Sequence, residues 1–184
     1  MAGRSLGRRM LRAVTLDAAF YEEVEAERGS IRQATLIVLL VSLAGALGTY
    51  VRDVMMLGES IGVAALWVTV DLLEPLLFWA VGSAFAYMVG ATFFRGPETR
   101  TDYREVLRTT GFAFTPGLLR GLAFVPPPLL GLSLTLVGDL WMLVCGVVAV
   151  RQALDFTTAR AIGTFGVAYG LLWLLLNGLA LLPL

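Results

Sequence analysis

The sequence predicts an all-α fold: a polytopic membrane bundle of five transmembrane helices, N-terminus inside and C-terminus outside. Three observations predict it. The chain is 58% hydrophobic and 15% charged, with a mean hydropathy of +0.79, a composition suited to lipid rather than water. It contains five long apolar runs, and a hydrocarbon core about 30 Å thick calls for about 20 such residues per helix. Its 14 basic residues are all arginine, and twelve fall on one side of those runs. Arg4, Arg8, Arg9, Arg12, Arg28 and Arg32 precede the first run. Arg95, Arg100, Arg104 and Arg108 separate the second from the third, and Arg151 and Arg160 the fourth from the fifth. Only Arg52 and Arg120 lie opposite. Short arginine-rich loops stay in the cytoplasm, because moving clustered cations across the membrane potential is unfavourable.

The first 30 residues divide from the membrane domain at 31–184. Arg4, Arg8, Arg9 and Arg12 interrupt every apolar stretch there, so the segment has no signal-peptide core. Leu6, Met10 and Val14 recur at helical spacing opposite those arginines, which predicts a short basic amphipathic helix able to lie on an anionic leaflet. The acidic stretch at 20–27 then reads as cytoplasmic.

Four runs match one span each: residues 31–50, 106–125, 129–150 and 161–182. The run 61–94 would reach roughly 50 Å as a single helix, too long for one crossing. Pro75 is therefore expected to open the second span, since a first turn needs no N–H there. Asp71 or Glu74 would cap it, leaving 61–70 at the outer interface. Within the third span, Pro116 predicts a kink. Gly111, Gly117 and Gly121 in that span, with Gly82, Ala86 and Gly90 in the second and Gly166 and Gly170 in the fifth, predict close helix approach, within the chain or in a homodimer. Pro126-Pro127-Pro128 forms the turn between spans three and four.

Absent residues exclude much chemistry. The chain has no histidine and one cysteine, Cys145, so it holds no imidazole or thiolate metal cage, no intrachain disulfide and no histidine base. Without lysine it forms no Schiff base. Nothing points to a cofactor or a nucleic acid. The groups left for chemistry are ionisable residues at membrane depth: Asp71 and Glu74, three apart and so on one helix face, with Arg120 and Asp139. An ion in hydrocarbon costs several kcal/mol unless it meets protein, water or a counter-ion. Two readings follow. The four residues form a polar cavity in the outer half of the bundle, or they are caps, a snorkelling arginine and its counter-ion.

Three segments resemble the bacterial branch of the Yip domain family, whose eukaryotic members are the Ypt/Rab-interacting proteins. The first is Leu16-Asp17-Ala18-Ala19-Phe20-Tyr21-Glu22-Glu23-Val24, leading to Arg32-Gln33-Ala34. The second is Tyr103-Arg104-Glu105-Val106-Leu107 with Gly111-Phe112-Ala113-Phe114-Thr115-Pro116. The third runs from Trp141 through Val147-Val148-Ala149-Val150-Arg151-Gln152-Ala153-Leu154 to Thr158-Ala159-Arg160-Ala161. Asp71-Leu72-Leu73-Glu74-Pro75 departs from the family's Asp-Leu-x-Gly-Pro at Glu74 and in position. The resemblance implies a five-span fold and a non-enzymatic membrane protein; the function expected is a scaffold or partner-binding protein of the inner (plasma) membrane. The loop from Arg95 to Arg108 would be its cytoplasmic docking surface. The alternative is a small transporter, channel or lipid-handling protein working through Asp71, Glu74, Arg120 and Asp139.

Overall fold

The computed structural model describes residues 5–94 and 101–178. Among them every regular element is a helix: α1 (Leu6–Val14), α2 (Ala18–Ala26), α3 (Ser30–Met56), α4 (Ile61–Phe93), α5 (Tyr103–Ala113), a 3-10 helix (Thr115–Leu122), α6 (Pro128–Ala153) and α7 (Thr158–Gly178). Helices α3, α4, α6 and α7 are long and apolar enough to cross a membrane. Leu39, Leu47, Leu66, Leu132, Leu140 and Leu174 are exposed on them. Water would penalise so much bare leucine, whereas hydrocarbon solvates it. This is a multi-pass membrane protein.

The longest run is one helix, not an interfacial segment followed by a span. Helix α4 is continuous over 33 residues with Pro75 buried inside it. Its cap is Ser60, whose hydroxyl accepts from the Val63 N–H at 3.3 Å, rather than Asp71 or Glu74. An interior proline removes the hydrogen bond that would end on the carbonyl four residues back, here that of Asp71. Neighbouring helices let a membrane helix absorb that loss.

The third predicted span is built in two pieces. Helix α5 ends at Ala113, and the chain tightens into the eight-residue 3-10 helix with Pro116 in its first turn. Pro116 therefore marks a change of helix type instead of a bend in one α-helix. The two pieces measure roughly 32 Å end to end, because the tighter helix rises about 2.0 Å per residue. This segment is the axis of the bundle. It packs on α3, α4 and α6, and residues 108–117 are all buried. Protein rather than lipid surrounds it, so its threonines are tolerated by bonding backbone: Thr109 to the Val106 carbonyl at 3.0 Å, Thr110 to Val106 at 2.7 Å and Thr115 to Phe112 at 2.7 Å. A capping box between Asp102 and Glu105 starts α5.

Small residues set the close approaches. A Cβ on Gly111 would stand 2.6 Å from Ala34 Cβ, one on Gly117 2.8 Å from Val41 Cγ1, and one on Gly121 3.2 Å from Ala44 Cβ, all on α3. Gly138 of α6 faces the Pro116 carbonyl in the same way, at 2.8 Å. The α4 stripe packs inside the chain, Gly82 against Tyr169 and Gly90 against Leu154. Gly166 and Gly170 of α7 have nothing within 4 Å.

The N-terminal helices close one end of the bundle. Leu6 and Met10 pack on a protein core that includes Ala13, Phe20, Tyr21, Phe112 and Cys145, so the apolar face of α1 is turned to protein. Trp141 of α6 donates to the Val14 carbonyl at 2.9 Å, and the Tyr21 hydroxyl to the Ala13 carbonyl at 3.2 Å. Arg9 is 5% exposed. It bonds Gln33 at 2.6 Å and Ser30 at 2.8 Å, pairs with Glu27 at 2.8 Å, and lies 5.0 Å above the Phe112 ring. Arg12 pairs with Asp17 and Glu23. These pairs hold Asp17 below the usual carboxylate range, chiefly through the Arg12 hydrogen bond. Glu27 is lowered as well, first by the Ser30 hydroxyl that donates to it and then by Arg9.

Candidate functional site

Near the middle of the bundle, three charged side chains from three elements converge. Arg120 leaves the last turn of the 3-10 helix, Asp139 lies about halfway along α6, and Glu74 precedes Pro75 in α4. Arg120 Nε donates to Asp139 Oδ1 at 2.7 Å, and Nη1 stands 3.5 Å from Glu74 Oε2. The arginine stem rests against Gly45 of α3, whose Cβ position would lie 3.6 Å from Arg120 Cβ. Side-chain exposure is 24% for Arg120, 33% for Asp139 and 45% for Glu74. The ions are therefore not sealed; they face open space.

That space has two chambers. A cavity of 620 Å³ runs between α4, α5, α6 and α7, with Glu74, Arg120 and Asp139 at one limit. Its other walls are almost wholly apolar and rich in rings: Phe78, Phe114, Phe165, Tyr169 and Trp173. Gly166 and Gly170 also line it, which explains why nothing in the chain packs on them. A smaller recess of 170 Å³ shares Glu74, Pro75, Arg120 and Asp139 with the cavity and continues to Thr49, Arg52, Asp71 and Thr135. Asp71 is not an ion-pair partner of Arg120; it lies one turn before Glu74, on the recess wall. The Thr49 hydroxyl hydrogen-bonds its carboxyl, and its Oδ2 is buried without a partner. Arg52, beside it, is paired to Asp53 at 2.8 Å.

Residues that the sequence did not single out hold the cavity's inner wall. Trp79 donates to the Leu107 carbonyl at 2.9 Å, and the Ser83 and Thr110 hydroxyls lie 2.7 Å apart. These bonds fasten α4 to α5 and fix the side of the cavity where Phe78 and Thr110 stand. A tryptophan and a serine one turn apart in an apolar run were the available signal, since each needs a partner in lipid. The loop from Arg95 to Arg108 divides: residues 95–100 lie outside the described residues. In the remainder Arg104 is exposed, while Arg108 is buried and donates to the Glu25 carbonyl. Among the described residues no three His, Cys, Asp or Glu side chains are placed to hold one metal ion.

No curated protein and no solved structure gives a significant match. The family model of the Yip1 domain matches residues 12–180, which takes in every helix that builds the cavity. On a match of that extent, the chain belongs to the Yip1 domain family.

Proposed function

We propose that this protein is a non-enzymatic, lipid-handling membrane protein of the bacterial inner membrane that takes an amphiphile into the bundle. One observation carries the reading: a 620 Å³ cavity with aromatic and aliphatic walls ends on the Glu74–Arg120–Asp139 cluster. Charge at one end and apolar wall elsewhere match a molecule with a polar head and a hydrocarbon tail. A scaffold sealed for stability alone would bury its ion pair fully. Here the carboxylates stay partly open toward the cavity.

The test fills the cavity without touching the charges. Gly166→Phe places a ring where the backbone has no neighbour within 4 Å, so the fold is expected to survive. Purified protein is stripped through detergent exchange and its retained lipid is counted. Native protein is expected to keep lipid and the variant to lose most of it. Equal retention would sink the reading. Proton flux in proteoliposomes that Glu74→Gln, Asp139→Asn abolishes would replace it with a conduction pathway.

A further inference from the structure

The head-end chemistry is specific enough to name the ligand's charge. Three carboxylates, Asp71, Glu74 and Asp139, and two guanidiniums, Arg52 and Arg120, line the 170 Å³ recess, three negative against two positive. Arg52 is already paired to Asp53, a fourth carboxylate, so the group as a whole is more negative still. Arg120 spends its Nε on Asp139 and turns Nη1 to Glu74. An anionic head would have to compete with two carboxylates for it. The unfilled demand is for positive charge and for hydrogen-bond donors. Asp71 Oδ2 is buried without a hydrogen-bond partner, while the Thr49 hydroxyl hydrogen-bonds the same carboxyl; the unpaired buried acceptor favours a ligand that brings a further donor. Pro75 leaves the Asp71 carbonyl without its helical donor as well.

On these grounds, and resting on the lipid-handling reading, we propose that the recess binds the protonated amine of an amphiphile whose tail lies in the adjoining cavity. An ammonium head brings three N–H donors and one positive charge, and so satisfies Asp71 while balancing the excess carboxylate. A recess of 170 Å³ suits a head of a few heavy atoms. The ring-lined walls beyond Glu74 supply burial for the tail. Because the two chambers share Glu74, Pro75, Arg120 and Asp139, head and tail of one molecule can occupy both at once.

The probes are dodecylamine, dodecyl phosphate and dodecanol, offered together in equal amounts to the full-length protein, with bound adducts counted by native mass spectrometry. Ethanolamine without a tail is offered separately. The amine adduct is expected to exceed the phosphate and alcohol adducts by about tenfold, the worth of one charge-assisted hydrogen bond. Asp71→Asn is expected to remove most of that preference, and ethanolamine to bind far more weakly than dodecylamine. Asp71 makes no ion pair with Arg120, so this variant is expected to fold even where Glu74→Gln, Asp139→Asn does not. Dominance of the phosphate, or equal adducts from all heads, would overturn the amine assignment and leave the cavity reading standing. Ethanolamine binding as strongly as dodecylamine would overturn the joint head-and-tail site. No adduct from any probe would overturn both readings.

Discussion

Arg120 illustrates what a single residue can decide in a membrane protein. A guanidinium in lipid is tolerated only with partners, and the structure supplies Asp139 at 2.7 Å and Glu74 at 3.5 Å. Replacing Arg120 by alanine strands both carboxylates. The expected cost is about 2–3 kcal/mol, below the figure for a sealed pair because Glu74 is half-exposed. For a chain of this size that lowers the melting midpoint in detergent by roughly 5–10 °C. Adding Asp139→Asn to Arg120→Ala is expected to recover part of the loss, since one stranded charge is then removed. An unchanged midpoint in the single variant would show that the pairing contributes nothing. Hydropathy alone puts Arg120 and Asp139 at membrane depth, since each interrupts an apolar run. Glu74 was harder to place, because Pro75 beside it reads equally as a helix start or an interior kink. Only the packing around α4 decides between them. Arg9 was not legible at all: its partners Ser30 and Gln33 lie 21 and 24 residues away, and no local pattern announces such a contact.

At the scale of the element, the 3-10 helix gives the site its shape. Runs of that kind rarely exceed four residues because their hydrogen bonds are poorer, so an eight-residue one needs outside support. Gly48 of α3 and Gly138 of α6 give it, by letting their backbones come within contact distance of its carbonyls. A methyl on Gly48 would stand 2.5 Å from the Arg120 carbonyl oxygen and 3.0 Å from Gly121. Both obstacles are backbone and cannot rotate away. Gly48→Ala is therefore expected to cost about 1–3 kcal/mol and to disturb the Arg120 pairing with it. Gly166→Ala, which meets nothing within 4 Å inside α7, is expected to leave stability unchanged or raise it by up to about 1 kcal/mol. Paired melting curves of the two variants check the contrast, and equal losses would refute it. The four long helices were readable because length and hydropathy suffice for them. The broken axis was not. A hydropathy pattern reports which residues avoid water, and it treats an α-turn and a tighter turn alike. The threonines of α5 look unfit for lipid until its position inside the bundle is known.

At the scale of the whole molecule, the N-terminal helices act as a lid that ties the bundle's end together, and its strength depends on pH. Helix α2 packs on α5 and α6, and the Glu25 backbone carbonyl receives Arg108 of α5. Burial pushes the Glu25 carboxyl up to about 7 from an ordinary 4.5; Asp155, Glu105 and Glu22 add to the rise and Arg108 opposes it. The folded state therefore holds a proton there that the unfolded chain releases near 4.5. A group raised in this sense stabilises the fold most below its unfolded value and loses that contribution as pH climbs through 7. Asp17 and Glu27 are shifted the other way, so their contribution disappears only as pH falls into the acid range. Between about pH 5 and 8, Glu25 is the one of these three whose protonation changes. The melting midpoint of the native protein is expected to decline across that interval, and Glu25→Gln to flatten the curve by staying neutral throughout. Equal slopes for the two proteins would show that α2 docks independently of this carboxyl. A flat variant would make the contact of α2 with α5 and α6 the acid-strengthened part of the bundle.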